Sequence, residues 1–165
     1  MVSLLNITIM KRIILSILTP FIVLASSIQA QDIDAATVQK AVETKSYIFK
    51  AESASPQRGG LRQLTPEYEL IVKPDTVVSY LPYYGRSFSA PINPSETGIK
   101  FTSMNYKYSV KKKKKNRWDI TIQPTDVSDI RDLSLTVFDN GRASLRVNSN
   151  TRDAISFDGY LKVSQ

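Results

Sequence analysis

The chain of 165 residues contains no cysteine, no histidine and a single tryptophan. Without cysteine there is no disulfide, no thiol nucleophile, no thiolate metal site and no residue to carry a lipid anchor. Without histidine the commonest general base and transition-metal ligand is missing, and so is the side chain that titrates near neutral pH. A hydrolase written in this alphabet would need a serine–lysine pair, two acids, or a cation held by oxygen alone. Ser109 stands near many lysines, but an exposed lysine stays protonated at neutral pH and makes no base. No phosphate-binding glycine loop, nucleotide fingerprint or internal repeat is present. These absences lead to the expectation of a non-enzymatic protein that needs no cofactor and no metal.

Long apolar runs are scarce as well. The one that stands out is Ile13 to Ala25, thirteen mainly apolar residues behind the basic pair Lys11-Arg12. Thirteen residues fall short of the roughly 20 that a spanning helix needs. The run is followed by Ser26-Ser27-Ile28-Gln29-Ala30, and the first thirty residues hold no acid. This is the layout of a secretory signal peptide cut after Ala30, with Met10 as an alternative start. The expected location is the periplasm or beyond, with no membrane span after cleavage. Removing residues 1–30 with their two cations takes the net charge from +7 to +5 and leaves one domain's length.

Behind the signal, Asp32 to Glu43 has acids at its start and Ile33, Val38, Ala41 and Val42 along one stripe, which predicts a helix within residues 31–45. From residue 46 to the end the period changes to two. Strands are expected near 46–54, 66–73, 76–82, 97–102, 104–111, 117–123, 131–138, 142–149 and 154–163, each bounded by Pro, Gly, Asn or Asp. Short strands without crossover helices argue for a mainly β, antiparallel sandwich or barrel.

Side chains also predict register, because a slip of one residue turns every side chain to the other face. Around Asp139-Asn140-Gly141, a three-residue loop with Gly141 left-handed sets Val137 against Ala143, Leu135 against Leu145 and Leu133 against Val147. A two-residue Asn-Gly turn would instead mix apolar with polar partners. In the lysine-rich region the same exercise pairs Val110 with Trp118, Tyr108 with Ile120 and Tyr106 with Ile122, leaving Lys112 to Asn116 as the tip. A third hairpin turns at Lys73-Pro74-Asp75-Thr76, sets Val72 against Val77 and Tyr68 against Leu81, and should be covered on both faces.

Three segments taken together resemble a known family. They are Phe49-Lys50-Ala51-Glu52-Ser53-Ala54-Ser55-Pro56, then Tyr80-Leu81-Pro82-Tyr83-Tyr84-Gly85-Arg86-Ser87-Phe88, then Asn140 to Val147 continuing through Arg152 to Gly159. In this order, after a signal peptide and a short helix, they are similar to the bacterial domain-of-unknown-function family numbered 4251, over about residues 40–163. The resemblance implies an exported protein of Bacteroidetes-type bacteria with a lipocalin-like β-barrel or half-barrel of about eight or nine strands, and it implies no activity. Some members resemble lipid-anchored proteins; this chain lacks the cysteine for that.

Two surfaces could bind a partner. Tyr80, Tyr83 and Tyr84 offer flat walls and Arg86 a charged donor, which suits a small amphipathic or anionic molecule in a barrel mouth. In the alternative, Pro82 ends a strand, Gly85 supplies an unusual dihedral and the tyrosines plug the barrel end. The second surface is the run Lys111, Lys112, Lys113, Lys114 and Lys115 with Lys107 and Arg117 beside it. It could dock on an anionic envelope polymer, and an exported chain does not meet nucleic acid. Its plainer role is to solubilise a hairpin and keep its edge from pairing with other chains. Asp126, Asp129 and Asp132 lack the pattern of a calcium loop and read as acids capping a helix in a loop. Arg142 and Arg146 alternate away from Leu145 and Val147, and with Arg152 they read as surface charge. Small-ligand binding at the mouth is the leading expectation, and polymer docking the alternative.

Overall fold

The computed structural model describes residues 33–88 and 98–163. The export signal and its cleavage site fall on residues 1–30, outside the described residues. Asp34 starts the fold by accepting the Thr37 amide at 2.7 Å, which satisfies one of the free N–H groups at a helix start. That bond holds its carboxyl below the ordinary value of 3.8. Helix α1 (Ala35–Thr44) follows and ends at Lys45, a left-handed residue with φ 53°. Val38, Ala41 and Val42 are buried and Ile33 packs against the same core, as the apolar stripe predicts. The helix begins later than Asp32 because Asp34 is its cap.

Ten strands come next in the described residues: β1 (Tyr47–Pro56), β2 (Arg62–Gln63), β3 (Glu69–Val72), β4 (Val77–Leu81), β5 (Ile99–Ser103), β6 (Tyr106–Lys113), β7 (Arg117–Pro124), β8 (Ile130–Val137), β9 (Arg142–Ser149) and β10 (Ile155–Lys162). All pairs are antiparallel, in the order β5-β4-β3-β1-β10-β9-β8-β7-β6, with the short β2 on β1. The sheet curls into a nearly closed barrel, of the sandwich-or-barrel choices the latter. Its free edges are β5 and β6, joined by Met104-Asn105. Asp126 holds that corner: its carboxylate accepts the Ser103 hydroxyl, the Met104 amide at 2.9 Å and the Asn105 amide at 3.2 Å. Side chains tie β6 to the helix, to β1 and to the β3–β4 turn. The Tyr108 hydroxyl donates to the Val42 carbonyl at 3.0 Å and lies 3.2 Å from the Tyr47 hydroxyl, while Tyr106 donates to the Lys73 carbonyl.

The barrel interior is a packed core. Phe49, Leu70, Trp118, Ile120, Ile122, Leu133, Leu145, Phe157 and Leu161 are each at most 2% exposed, and they come from strands all round the barrel. One contact between β1 and β10 depends on glycine. β1 carries a bulge between Ala51 and Ser53, and there Gly159 of β10 approaches so closely that a Cβ would overlap the Lys50 carbonyl oxygen.

Two hairpins adopt the register their apolar side chains predict, and the lysine hairpin does not. Leu133↔Val147, Leu135↔Leu145 and Val137↔Ala143 pair as expected, and Gly141 is left-handed at φ 79°. Val72↔Val77 and Ile71↔Val78 also hold, with Ile71 and Val78 half-buried on the outer face. Tyr68, however, lies before β3 begins, and its ring stacks on Tyr80 at 5.6 Å instead of facing Leu81. The lysine hairpin slips by two: Tyr108 pairs with Ile122, Val110 with Ile120 and Lys112 with Trp118, so the tip is Lys114 to Asn116. The faces survive because the slip is even. The reason for it is Lys112, whose stem covers Trp118 with Nζ 5.5 Å from the ring, so a charged residue fills an apolar position. Val110 is 37% exposed despite its apolar character. The two-residue strand β2 has no alternation to reveal it.

Candidate functional site

Pro82 ends β4, and the chain from there to Phe88 runs along the β9–β10 connection. Asp153 donates its amide to the Arg86 carbonyl at 3.0 Å, Phe88 to the Thr151 carbonyl at 2.8 Å, and Ser87 bridges Arg152. Tyr83 is the staple of this segment. Its ring folds back over Gly85, and its hydroxyl lies 2.7 Å from the Arg86 carbonyl and 3.0 Å from that of Asp153. A Cβ on Gly85 would collide with that hydroxyl, so the glycine is needed for close approach. It is not among the positive-φ residues, which corrects the expectation of an unusual dihedral there. Burial, with the nearby Asp153 charge, raises the Tyr83 phenol above its ordinary value.

Arg152 lies across the Tyr83 ring at 5.3 Å, donates to the Gly98 carbonyl at 3.0 Å and pairs with Asp129 at 3.3 Å. Its side chain is 19% exposed, so it is a tie at the barrel end and not the surface charge expected from alternation. Asp129 also accepts from Ser149 at 2.8 Å and from Thr151. A cleft of about 190 Å³ opens beside this tie, lined by Phe101, Val127, Asp129, Ile130 and Arg152 among others. Nothing local in the sequence marks it, because its walls come from β5, the β7–β8 connection and the β9–β10 connection.

The four residues expected to form a mouth therefore do not converge. Tyr83 is turned inward as a staple. Arg86 contributes its backbone to the closure and has an exposed side chain. Tyr80 lies on the outer face of β4, 40% exposed, and Tyr84 beyond it is 36% exposed.

The three spaced acids also separate. Asp126 holds the β5–β6 corner and Asp129 the barrel-end tie. Burial would raise the Asp132 carboxyl, but donors on Asn148, Arg131 and Ser134 outweigh it and hold the group below its ordinary value. No helix stands in this segment, so these acids cap turns and strands; that corrects the helix-capping expectation. Arg142 pairs with Glu52 at 2.7 Å and is otherwise exposed, as is Arg146.

The lysine hairpin is the densest charge in the fold. β6 is a free edge, and its last pair Lys113↔Arg117 lies beyond Trp118↔Val137, the last pair that ties β7 to β8. Arg117 is engaged by Asp119 at 3.2 Å, and Lys111 lies opposite the same acid. Lys112 donates to the Gln39 side chain at 2.9 Å. Among the described residues no lysine from 107 to 115 forms an ion pair, and Lys107 and Lys111 to Lys115 are all exposed. Lys45, at the end of α1, stands over the rings of Tyr106 and Tyr108 at 5.7 and 5.3 Å.

A family model described as Domain of unknown function (DUF4251) matches residues 29–161. Among solved structures the chain is similar to a DUF4251 family protein from Bacteroides eggerthii DSM 20697, determined by crystallography at 1.95 Å resolution. The two share 13% identity with a TM-score of 0.56, over 79% of this chain and 85% of that one, a likeness of fold. No curated protein matches the chain.

Proposed function

The chain belongs to the DUF4251 family, whose description assigns no activity, and from that starting point we propose an exported, non-enzymatic protein that docks on an anionic polymer of the cell envelope through the β6–β7 hairpin. One observation carries the reading: a run of exposed lysines that form no ion pair among the described residues, on a free edge strand whose tip projects past its neighbours. Such a cluster attracts a polyanion over about a Debye length, roughly 8 Å at physiological salt. The rival small-ligand reading at the barrel mouth loses support, because Tyr83 closes that end and apolar side chains fill the interior.

The plain role of the lysines as edge guards makes a different forecast, so one experiment separates the two. Retention of the wild type and of a variant with Lys111 to Lys115 all changed to Gln is compared on immobilised dextran sulfate. Docking predicts that the variant elutes at much lower salt and binds more than about tenfold more weakly at 0.15 M. Unchanged retention, with the variant associating through its bared edge, would leave only the guard.

A further inference from the structure

Away from the hairpin, five side chains from β2, β4, β5 and the segments that flank β3 and β4 form a row on the outer surface. Arg62 of β2 lies over the Tyr84 ring at 4.8 Å, and Lys100 of β5 lies over the Tyr80 ring at the same distance. Between them, Tyr68 stacks on Tyr80 with ring planes 17° apart. Tyr84 and Tyr80 are close enough to Tyr68 that, after burial, their phenols help raise its own. Neither Arg62 nor Lys100 forms an ion pair among the described residues.

From this row we infer a second binding site, for an acidic oligosaccharide lying along the outer face with its sugars against the edges and hydroxyls of the tyrosines and its carboxylates at the terminal cations. A cation held against a ring face loses little rotamer freedom when it pairs with an anion, because the ring has already placed it. Phenol hydroxyls donate and accept, which suits a ligand dense in hydroxyls, and the ring edges left uncovered at Tyr80 and Tyr84 suit its apolar C–H groups. A cation at each end of a row of rings fits an extended chain with charge at intervals, whereas a mononucleotide carries its charge at one end. The row lies on the outer wall of a barrel and so offers no slot to clamp a base. Glu67, beside Tyr68, opposes an anion and sets a sign that can be tested.

The probe is tetragalacturonate, titrated by calorimetry, with maltotetraose as the neutral match and a mononucleotide as the competing class. The wild type should bind tetragalacturonate at least tenfold more tightly than either. Arg62→Gln and Lys100→Gln should each weaken it about threefold to tenfold, Tyr84→Ala similarly, and Glu67→Gln should strengthen it. These positions are exposed, so circular dichroism should show all variants folded. The hairpin variant with five Gln substitutions serves as the control and should retain tetragalacturonate binding, which separates this site from the proposed docking surface. No measurable binding by the wild type, equal affinity for maltotetraose, preference for the mononucleotide, or loss of binding only in the hairpin variant would each overturn the inference.

Discussion

Asp126 stabilises the β5–β6 corner through three donors, the Ser103 hydroxyl foremost, and these hold its carboxyl below the ordinary 3.8. Asp34 and Asp132 are lowered as well. A folded pKa below the unfolded one means that this stabilisation is complete above about pH 4 and is lost as pH falls through the folded value. Tyr108 gives the opposite limb. Burial pushes its phenol up to about 12, so its contribution is complete below pH 10 and is lost as pH rises from there. With no histidine to titrate between, the melting temperature should be flat from about pH 5 to pH 9 and fall on both sides. Thermal unfolding across pH checks this, with Asp126→Asn softening the acid limb; a step near pH 6.5 would contradict it. A second residue-scale prediction concerns Gly159. Replacing it with Ala forces a Cβ into the Lys50 carbonyl and should cost about 2–3 kcal/mol in urea unfolding.

At the scale of elements, register was legible wherever apolar residues alone filled the inner face. Val137, Leu135 and Leu133 have one set of apolar partners across the Asp139-Asn140-Gly141 loop, and the strands adopt it. The lysine hairpin misled because the stem of Lys112 behaves as an apolar side chain over Trp118. Lys112→Ala should therefore uncover the single tryptophan. A red shift in its fluorescence and a loss of about 0.5–1 kcal/mol are expected, and an unchanged spectrum would refute that cover. The β6 edge also yields a prediction of its own. Changing Lys111 and Lys113 to Val removes two charges from a free strand and should produce concentration-dependent self-association in sedimentation.

For the whole molecule, the sequence disclosed the antiparallel barrel and its helix but not how the barrel ends are sealed. Alternation reports which face of a strand is apolar; it does not say that Tyr83 folds over Gly85 to bind the Asp153 carbonyl seventy residues away. The same limit hid Arg152, whose partners Asp129 and Gly98 come from distant segments. The interior is filled from Phe49 to Leu161, which favours the proposed docking on the outer surface over a ligand inside the barrel. Net charge alone would also draw the protein to a polyanion, so position has to be separated from amount. Two variants do this: Gln at Lys111 to Lys115, and Gln at Lys40, Lys73, Arg131, Arg146 and Lys162, all exposed and outside the hairpin. Each loses five charges, which takes the net charge from +7 to +2 for the full chain and from +5 to 0 without residues 1–30. Their affinities for dextran sulfate at 0.15 M salt are the decisive measurement. Docking through the hairpin predicts that the first variant binds at least about fivefold more weakly than the second. Equal affinities would mean that the lysines act only as charge, and the proposed docking surface would fall.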